Sequence, residues 1–124
     1  MAALLALYAV ASLLHFVHNA EYLQQYPNLP ASWTRAQVYL AWCALTSIGV
    51  LGYVIYRRGD RRIGLMVLSV YGGLGFGGLL HYTRAPFAHH SAAMNFTIWT
   101  EVVVAAMFLM SIARVAAGNA GRAA

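Results

Sequence analysis

Residues 33–62 read WTRAQVYLAWCALTSIGVLGYVIYRRGDRR, in which an uncharged, apolar run over residues 36–56 is followed at once by a turn with four arginines. A helix of roughly 20 apolar residues is long enough to cross the hydrocarbon core of a bilayer, which is about 30 Å thick. Short loops that are rich in arginine stay on the cytoplasmic side of a membrane. This stretch therefore predicts a transmembrane helix that ends at a cytoplasmic turn.

Three further apolar runs flank this stretch, one before it and two after it. Pro27 and Pro30 interrupt the chain between the first two runs, since proline breaks a helix. Ser32 is a candidate N-cap of the second helix, and the fourth helix has two candidate starts, at Pro86 or after Ser91. The predicted helices cover about residues 3–24, 32–57, 62–84 and 88–117. The predicted fold is all-α, with residues 1–124 forming a single transmembrane domain, a four-helix bundle in up-down-up-down order with both termini in the cytoplasm.

The composition excludes an ordinary soluble enzyme. Of the 124 residues, 61% are hydrophobic and 9% are charged, whereas a soluble domain has about 25% charged residues. The basic residues behind the net charge of +5 are dispersed between apolar runs, so we interpret them as topology signals and expect no nucleic-acid partner. Arg114 and Arg122 agree with cytoplasmic termini, whereas Arg35 and Arg84 count against them. We expect an integral protein of a bacterial inner membrane, with the lipid bilayer, a second copy of the chain or another membrane subunit as candidate partners.

The third run contains the stretch YGGLGFGG at residues 71–78. Gly73 and Gly77 have the four-residue spacing that allows close helix packing in lipid. The alternative is that the glycines, with Gly77 and Gly78 nearest the end of the helix, form the wall of a cavity for a cofactor or a lipid. Tyrosine and tryptophan near the ends of the runs, Tyr26 among them, are typical of the membrane interface.

All five histidines and both glutamates lie on or near one side of the membrane once the runs are folded up and down. His15, His18 and Tyr22 share one face of the first helix, with Asn19 beside His15. We therefore predict a polar site in the outer, periplasmic half of the bundle. The histidines and glutamates are His15, His18, Glu21, His81, His89, His90 and Glu101.

The first interpretation of this site is a centre that binds a metal ion or haem. Imidazole suits zinc, iron and copper, and carboxylate adds an oxygen ligand. One version uses His15, His18 and His81, with Glu101 or Glu21 as a further ligand or a hydrogen-bond acceptor. Another places haem between a histidine of the first helix and His81, with Gly77 and Gly78 giving room for the porphyrin.

The second interpretation is a membrane enzyme without a cofactor that acts on a lipophilic small molecule. A glutamate at the bilayer centre costs about 2.5–3.5 kcal/mol unless it has a partner or a proton, so Glu101 is a candidate general acid. His18 or His15 would be the base, Tyr22 or Asn19 would orient the substrate, and Glu21 is a further acid–base candidate. The third interpretation is a non-enzymatic subunit or small transport component, in which the polar residues pair helices or carry protons.

Overall fold

The computed structural model of the protein describes the backbone of residues 1–120 and the side chains of residues 1–118, so Arg122 lies outside the described residues. Every regular element in this part of the chain is helical, which confirms the all-α prediction. The α-helices are α1 (Ala2–Glu21), α2 (Arg35–Arg58), α3 (Arg61–Leu74), α4 (His81–Arg84) and α5 (Ala92–Ala120), and the 3-10 helices are Leu23–Gln25, Gly75–Leu80 and Phe87–His89.

Within the described residues, four helical stretches are long and apolar enough to cross a membrane. The shortest has 20 residues, which at about 1.5 Å per residue spans the hydrocarbon core. Their outer faces carry large apolar side chains, such as Phe96 with 71% of its surface exposed. Exposed apolar surface of this extent is suited to lipid. The four stretches are Ala2–Glu21, Arg35–Arg58, Arg61–Arg84 and Ala92–Gly118.

The second stretch begins at Arg35 rather than near residue 32, because Thr34 and not Ser32 is its N-cap. The Thr34 hydroxyl accepts from the backbone N–H of Gln37 at 3.3 Å, and the Gln37 side chain accepts from the backbone N–H of Thr34 at 2.8 Å. This reciprocal capping box needs Glu or Gln three residues after the cap. Ser32 is followed at that position by Arg35, so it lacks the second half of the motif.

The third stretch, Arg61–Arg84, is not the continuous α-helix that the sequence predicts for residues 62–84. It changes from α3 to a 3-10 helix of six residues at Gly75–Leu80 before the single turn of α4. Glycine is a weak helix former, and 3-10 runs of this length are uncommon. We call Gly75–Leu80 the glycine-rich segment.

Two glycines allow the third stretch to approach its neighbours closely. They are not Gly73 and Gly77, the pair that the sequence spacing predicted. A Cβ atom on Gly72 would lie 2.8 Å from Leu109, and one on Gly75 would lie 2.6 Å from Ala105, so these two glycines face α5. Gly73 and Gly77 are exposed, and a Cβ atom on either would have no other atom of the described chain within 4 Å. The prediction of close packing at Gly73 and Gly77 within the bundle is therefore wrong.

The apolar core lies where α1, α3 and α5 meet. Tyr8 packs on Tyr71 and Phe108, with ring centroids 4.7 and 5.8 Å away, and its hydroxyl donates to the backbone oxygen of Tyr71 at 3.1 Å. Leu68 and Ile112 belong to the same cluster. His15 lies seven residues beyond Tyr8 on α1, about 10 Å along the helix axis, so the polar residues of α1 begin where this core ends.

The last long helix, α5, starts after Ser91, which decides between the two candidate starts and corrects the boundary at residue 88. The Ser91 hydroxyl accepts from the backbone N–H of Met94 at 3.2 Å. Residues Phe87–His89 form a separate 3-10 turn, and His90 follows it in extended conformation. His90 therefore lies on the loop that leads into α5 and not on the helix that carries Glu101.

Candidate functional site

The buried face of α1 becomes polar in its second half. Tyr8 and Ala11 belong to the apolar core, and the same face continues with Ser12, His15 and Asn19, all of them buried. Positions three and four residues apart share one face of a helix. The sequence of α1 thus carries its polar groups directly into the interior, where His15 is only 2% exposed.

Glu101 enters the same space from α5. It is 2% exposed and lies between buried apolar residues of its own helix, such as Ile98 and Ala105. Its Oε2 atom is 3.9 Å from Nε2 of His15, with both side chains 3% exposed. Ser12 lies near the same carboxyl. The pair is therefore within reach of proton transfer after a small movement, since a direct hydrogen bond needs about 3 Å.

The glycine-rich segment covers this pair with bare backbone. A Cβ atom on Gly78 would lie 3.6 Å from Oε2 of Glu101, 3.7 Å from Nε2 of His15 and 3.4 Å from Ile98. Any longer side chain at this position would have to enter the space of the pair. Gly78 therefore keeps the third stretch close to His15 and Glu101 without filling the space above them.

His81 extends the arrangement beyond the pair. Its ring lies 5.6 Å from the ring of His15, and its Nε2 atom is 3.4 Å from the side-chain nitrogen of Asn19. The ring of Tyr26 lies 4.8 Å from it on another side. Three helical stretches and the loop after α1 thus meet around two imidazoles and one carboxyl group.

Tyr26 closes the site from the loop between α1 and α2. It is 3% exposed, and burial raises the pKa of its phenol to about 12. Its hydroxyl lies 2.9 Å from Nδ1 of His18, whose ring also packs on Tyr22 at 4.7 Å. The phenol therefore keeps its proton at neutral pH and holds His18 at the edge of the site.

His90 brings a third imidazole into the site. Its ring lies 6.2 Å from that of His81 and 5.2 Å from that of Tyr82. Its Nδ1 atom is 3.1 Å from the carbonyl oxygen of Pro86. A carbonyl only accepts, so Nδ1 must carry the proton in this contact. His89, one residue earlier, is exposed.

Several buried polar atoms of the site have no hydrogen-bond partner among the described residues. They are Nδ1 of His15, Oδ1 of Asn19 and Nε2 of His90. Most buried polar atoms in proteins are paired, so these three atoms lack the partner that such atoms usually have. We call the whole group the polar cluster, which consists of Ser12, His15, Asn19, Tyr26, His81, His90 and Glu101.

Five predicted site residues are not members of the polar cluster. His18 and Tyr22 lie at its edge and Gly78 covers it, whereas Glu21 and Gly77 are exposed at the surface. Glu21 is exposed and accepts from Arg35 at 3.0 Å and from the Tyr39 hydroxyl at 2.7 Å, so it joins α1 to α2 at the surface. Its predicted role as a catalytic group or further ligand gains no support from this position, because its carboxyl group is bound by these two donors at the surface. Gly77 points away from the bundle, which corrects its place in a cofactor cavity wall.

The predicted metal and haem centres gain no support from the side-chain arrangement. In residues 1–118, no group of three or more His, Cys, Asp or Glu side chains is placed to hold one metal ion. The rings of His15 and His81 approach edge to face, while their Nε2 atoms lie beside Glu101 and Asn19. A porphyrin needs both Nε2 atoms to point at the iron from opposite sides.

The structure also adds Ser12 and Tyr26 to the site, and it gives a definite position to His90, which the sequence had only placed on the same side of the membrane. Ser12 lies one turn before His15, and this three-residue spacing is a signal that could have found it. The sequence predicts Tyr26 to be one of the aromatic residues at the membrane interface, and no local sequence pattern distinguishes it from the others. The placement of His90 depends on the turn at Phe87–His89 and on the contact with Pro86, which only the folded chain brings about.

The fold and the polar cluster together define an all-α protein with four helices suited to crossing a membrane and a buried His/Glu pair between them. No protein-family model matches the chain. No curated protein and no solved structure matches it either.

Proposed function

We propose that the protein is a membrane-embedded acid–base catalyst that uses Glu101 and His15 to move protons on a lipophilic substrate. The observation that carries this proposal is the distance of 3.9 Å between Oε2 of Glu101 and Nε2 of His15, with both groups buried. General acids and bases must lie within reach of the proton that they transfer. At 3.9 Å, this pair meets the requirement after a small movement that shortens the distance to that of a hydrogen bond.

The surroundings favour the uncharged form of the pair. Moving an ion out of water into a protein interior costs several kcal/mol, so the resting state has the proton on Glu101 and a neutral His15. Glu101 is then an acid with a proton to give, and Nε2 of His15 is a base with a free electron pair. An acid and a base of this kind can act on a substrate without a cofactor.

Double-bond isomerisation is the simplest reaction that the pair supports. Glu101 adds its proton to one carbon of the double bond, and His15 removes a proton from the saturated carbon that is bonded to the other carbon of the double bond. The electron pair of the broken C–H bond then forms the new double bond. A carboxylate and an imidazolium remain, and return of the proton from His15 to Glu101 restores the starting state.

The proposal includes the orientation of the bundle. Tyr8 contacts Phe108 and His15 contacts Glu101, so α1 and α5 run in opposite directions. A Cβ atom on Gly52 would meet Leu68, and one on Gly49 would meet Tyr71, so α2 and α3 are also antiparallel. These contacts support up-down-up-down order.

The charged turn supports a location for the polar cluster. Four arginines flank Gly59 and Asp60 at the end of α2 and the start of α3, and arginine-rich short loops stay in the cytoplasm. In up-down-up-down order, both termini lie on the same side as this turn. The polar cluster then lies in the opposite, periplasmic half, in the inner membrane of a bacterium.

Deuterium incorporation tests the proposed chemistry across a mixture of lipids, so the substrate need not be identified first. The protein is reconstituted into nanodiscs with a total lipid extract of the membranes that express it, and incubated in D2O. An acid–base catalyst transfers deuterium from Glu101 to carbon, which mass spectrometry detects as non-exchangeable label in a lipophilic molecule. Removal of a general acid slows such a reaction by roughly 10²- to 10⁴-fold, so we expect Glu101→Gln to abolish the labelling.

Glu21→Gln is the matched control, because it makes the same chemical change at a glutamate on the surface. We expect it to label lipids at the wild-type rate. Equal labelling by Glu101→Gln and Glu21→Gln would show that Glu101 is not the acid.

A structural subunit remains the second candidate function, because the polar contacts also connect helices. His15 joins α1 to α5 through Glu101, and Asn19 joins α1 to α4 through His81. Polar contacts of this kind between membrane helices contribute about 0.6 kcal/mol each. Under this alternative, loss of the pair would lower stability without changing any lipid.

A further inference from the structure

A surface groove runs along the seam between α3 and α5, at the end of the bundle that carries the charged turn of residues 57–62. It has a volume of about 640 Å³. Its apolar lining includes Leu65 and Met66 of α3 and Leu109 and Ile112 of α5. Small molecules bind in spaces of about 300–1,000 Å³ with mostly apolar walls. We call this space the seam groove.

The seam groove follows the axes of both helices, because a single face of each helix lines it. The lining positions are 62, 65, 66 and 69 on α3 and 109, 112, 113 and 116 on α5, which have the three- and four-residue spacing of a helical face. A Cβ atom on Gly72 would meet Leu109 and one on Gly75 would meet Ala105, so the two helices run antiparallel. The groove therefore extends from Arg62 about 10 Å along the seam.

Small side chains on α5 keep the seam groove open to the membrane. Leu65 and Ile112 are buried and form its floor. Beside them lie Ala113 and Ala116 of α5 and Met66 of α3, all three exposed. Both helices belong to stretches suited to crossing a membrane, so the open side of the groove faces lipid. An apolar recess in this position fits an acyl chain.

Arg62 places a positive charge at one end of this apolar space. The residue is exposed, and it lines the seam groove from the first turn of α3. Two ion pairs occur among residues 1–118, His15 with Glu101 and Arg35 with Glu21, and neither includes Arg62. The guanidinium of Arg62 therefore has no acidic partner in the described part of the chain, and it can bind an anion from outside.

The other charges of the turn leave Arg62 in this role. The Asp60 carboxyl accepts from the backbone N–H groups of Arg62 and Ile63 at 2.7 and 3.1 Å, so it caps α3. Arg61 donates to the Tyr56 hydroxyl at 3.3 Å, and its guanidinium carbon lies 5.2 Å from the centroid of that ring. Residues 57–62 carry four positive charges and one negative charge, so the turn as a whole attracts anions.

We propose that the seam groove binds an anionic phospholipid, with one acyl chain lying between α3 and α5 and the headgroup phosphate bound by Arg62. The planar fork of N–H donors on arginine matches the geometry of a phosphate group. Basic pockets between membrane helices bind anionic lipid headgroups in this way. A zwitterionic lipid with the same chains carries its own ammonium group, which competes with Arg62 for the phosphate. The apolar walls thus hold the chain, and Arg62 selects the headgroup.

Photolabelling locates the bound lipid and measures the preference. The full chain in dodecyl maltoside is mixed with phosphatidylglycerol that carries a diazirine on one acyl chain, irradiated and mapped by peptide mass spectrometry. We expect label on the groove face of α3 and α5, above all on the exposed Met66. One basic residue favours an anionic lipid roughly 5-fold, which corresponds to about 1 kcal/mol. Unlabelled phosphatidylglycerol should therefore compete at a concentration at least roughly 5-fold below that of phosphatidylcholine with the same chains.

Arginine variants identify the group that selects the headgroup. Arg62→Gln removes the charge from the seam groove, so the preference for phosphatidylglycerol should fall roughly 5-fold, whereas Arg62→Lys keeps the charge and should keep most of the preference. Arg61→Gln is the matched control, because it makes the same change at the next residue, whose guanidinium lies on Tyr56. An undiminished preference in Arg62→Gln, or an equal loss in Arg61→Gln, would overturn the assignment of the phosphate to Arg62.

Alanine variants test the place of the acyl chain. Ala116→Phe fills the seam groove, so it should remove the label from Met66. Ala117→Phe adds the same ring at the neighbouring exposed alanine, which does not line the groove, and it should leave the label in place. Label spread evenly over all four spans would show that the groove holds no particular lipid. Absence of label from α3 and α5 would show that another molecule, such as a second copy of the chain, covers the groove; either result rejects the proposal.

Measurements on the parent protein keep the test decisive if a variant fails to fold. Salt screens exposed charges, so the preference for phosphatidylglycerol over phosphatidylcholine should shrink as the ionic strength rises. Soluble glycerol phosphate, which has the headgroup chemistry without the chains, should not displace the label. A preference that salt leaves unchanged would refute the role of charge, and displacement by glycerol phosphate would assign the site to a free phosphate compound instead of a lipid.

The lipid site is independent of the proposed catalysis. Arg62 lies at the start of the third stretch, whereas Gly78 near its other end lies beside Glu101. Glu101 does not line the seam groove, so Glu101→Gln should be photolabelled as strongly as the parent protein. The labelling pattern therefore decides the lipid site whether or not the protein is a catalyst.

Discussion

Alanine at Gly75 should destabilise the protein, whereas alanine at Gly77 should not, although both glycines lie in the glycine-rich segment. A Cβ atom on Gly75 would lie 2.6 Å from the Cβ of Ala105 and 2.6 Å from the hydroxyl of Tyr8. Neither neighbour can yield easily, because Ala105 is part of a helix and the Tyr8 ring is packed in the core. A Cβ atom on Gly77 would meet no other part of the described chain within 4 Å.

The magnitude follows from two opposing terms. Alanine is a better helix former than glycine by up to about 1 kcal/mol, which both variants gain. Overpacking of a filled interior costs about 1–3 kcal/mol, which only Gly75→Ala incurs. If Tyr8 moves, its hydrogen bond to Tyr71 is lost as well, at about 1 kcal/mol. We therefore expect Gly75→Ala to be less stable than Gly77→Ala by about 1–4 kcal/mol.

Reversible unfolding in mixed micelles of increasing SDS fraction, followed by circular dichroism, measures this difference. Gly77→Ala should unfold at or slightly above the wild-type midpoint, and Gly75→Ala clearly below it. If the two variants unfold at the same SDS fraction, the glycine-rich segment does not pack on α5 through Gly75.

Three further predictions follow from local contacts. Thr34→Ala should lower the free energy of unfolding by about 0.5–2 kcal/mol through loss of the capping box, whereas Ser32→Ala should leave it unchanged in the same SDS titration. Burial raises the Tyr26 pKa from its ordinary 10 to about 12, so the stability linked to this phenol is complete below pH 10 and is lost as the pH rises to about 12; alkaline unfolding curves should show this loss in the wild type and not in Tyr26→Phe. Asn95→Ala removes the two side-chain bonds to the carbonyl oxygens of Phe87 and His90, so hydrogen exchange should accelerate at the backbone amides of His89 and His90, which bond within this loop.

The hydropathy of the chain was sufficient to predict the helical class and the four apolar stretches. A span needs only length and apolarity, and both are visible in the sequence. The ends of the helices depend on side-chain bonds instead. Thr34 and Ser32 are equally good caps by residue type, and only the bond from Gln37 distinguishes them. The change of the third stretch to a 3-10 helix at Gly75–Leu80 was not predicted from the sequence.

The site was predictable to the extent that it lies on regular helices. His15 and Asn19 share a face by their spacing, and a buried carboxyl in a membrane helix needs a partner, so the structure unites residues that the sequence already selected. Glu21 misled the prediction because position along α1 does not reveal that Arg35 and Tyr39 lie close enough to bind it. Side chains on loops depend on tertiary contacts that periodicity does not encode.

Replacement of the His15–Glu101 pair by leucine distinguishes a catalytic pair from a structural one. Desolvation of two polar groups offsets most of their attraction, and apolar side chains of similar volume in place of a buried pair are often neutral or stabilising by about 1–4 kcal/mol. We therefore expect His15→Leu/Glu101→Leu to unfold at the same or a higher SDS fraction than the wild type while it labels no lipid in D2O. A pair whose attraction exceeds its desolvation cost would give the reverse, a bundle that unfolds at a lower SDS fraction than the wild type. Selection for proton transfer can keep an acid–base pair that lowers the free energy of unfolding. The double variant measures this difference in stability directly.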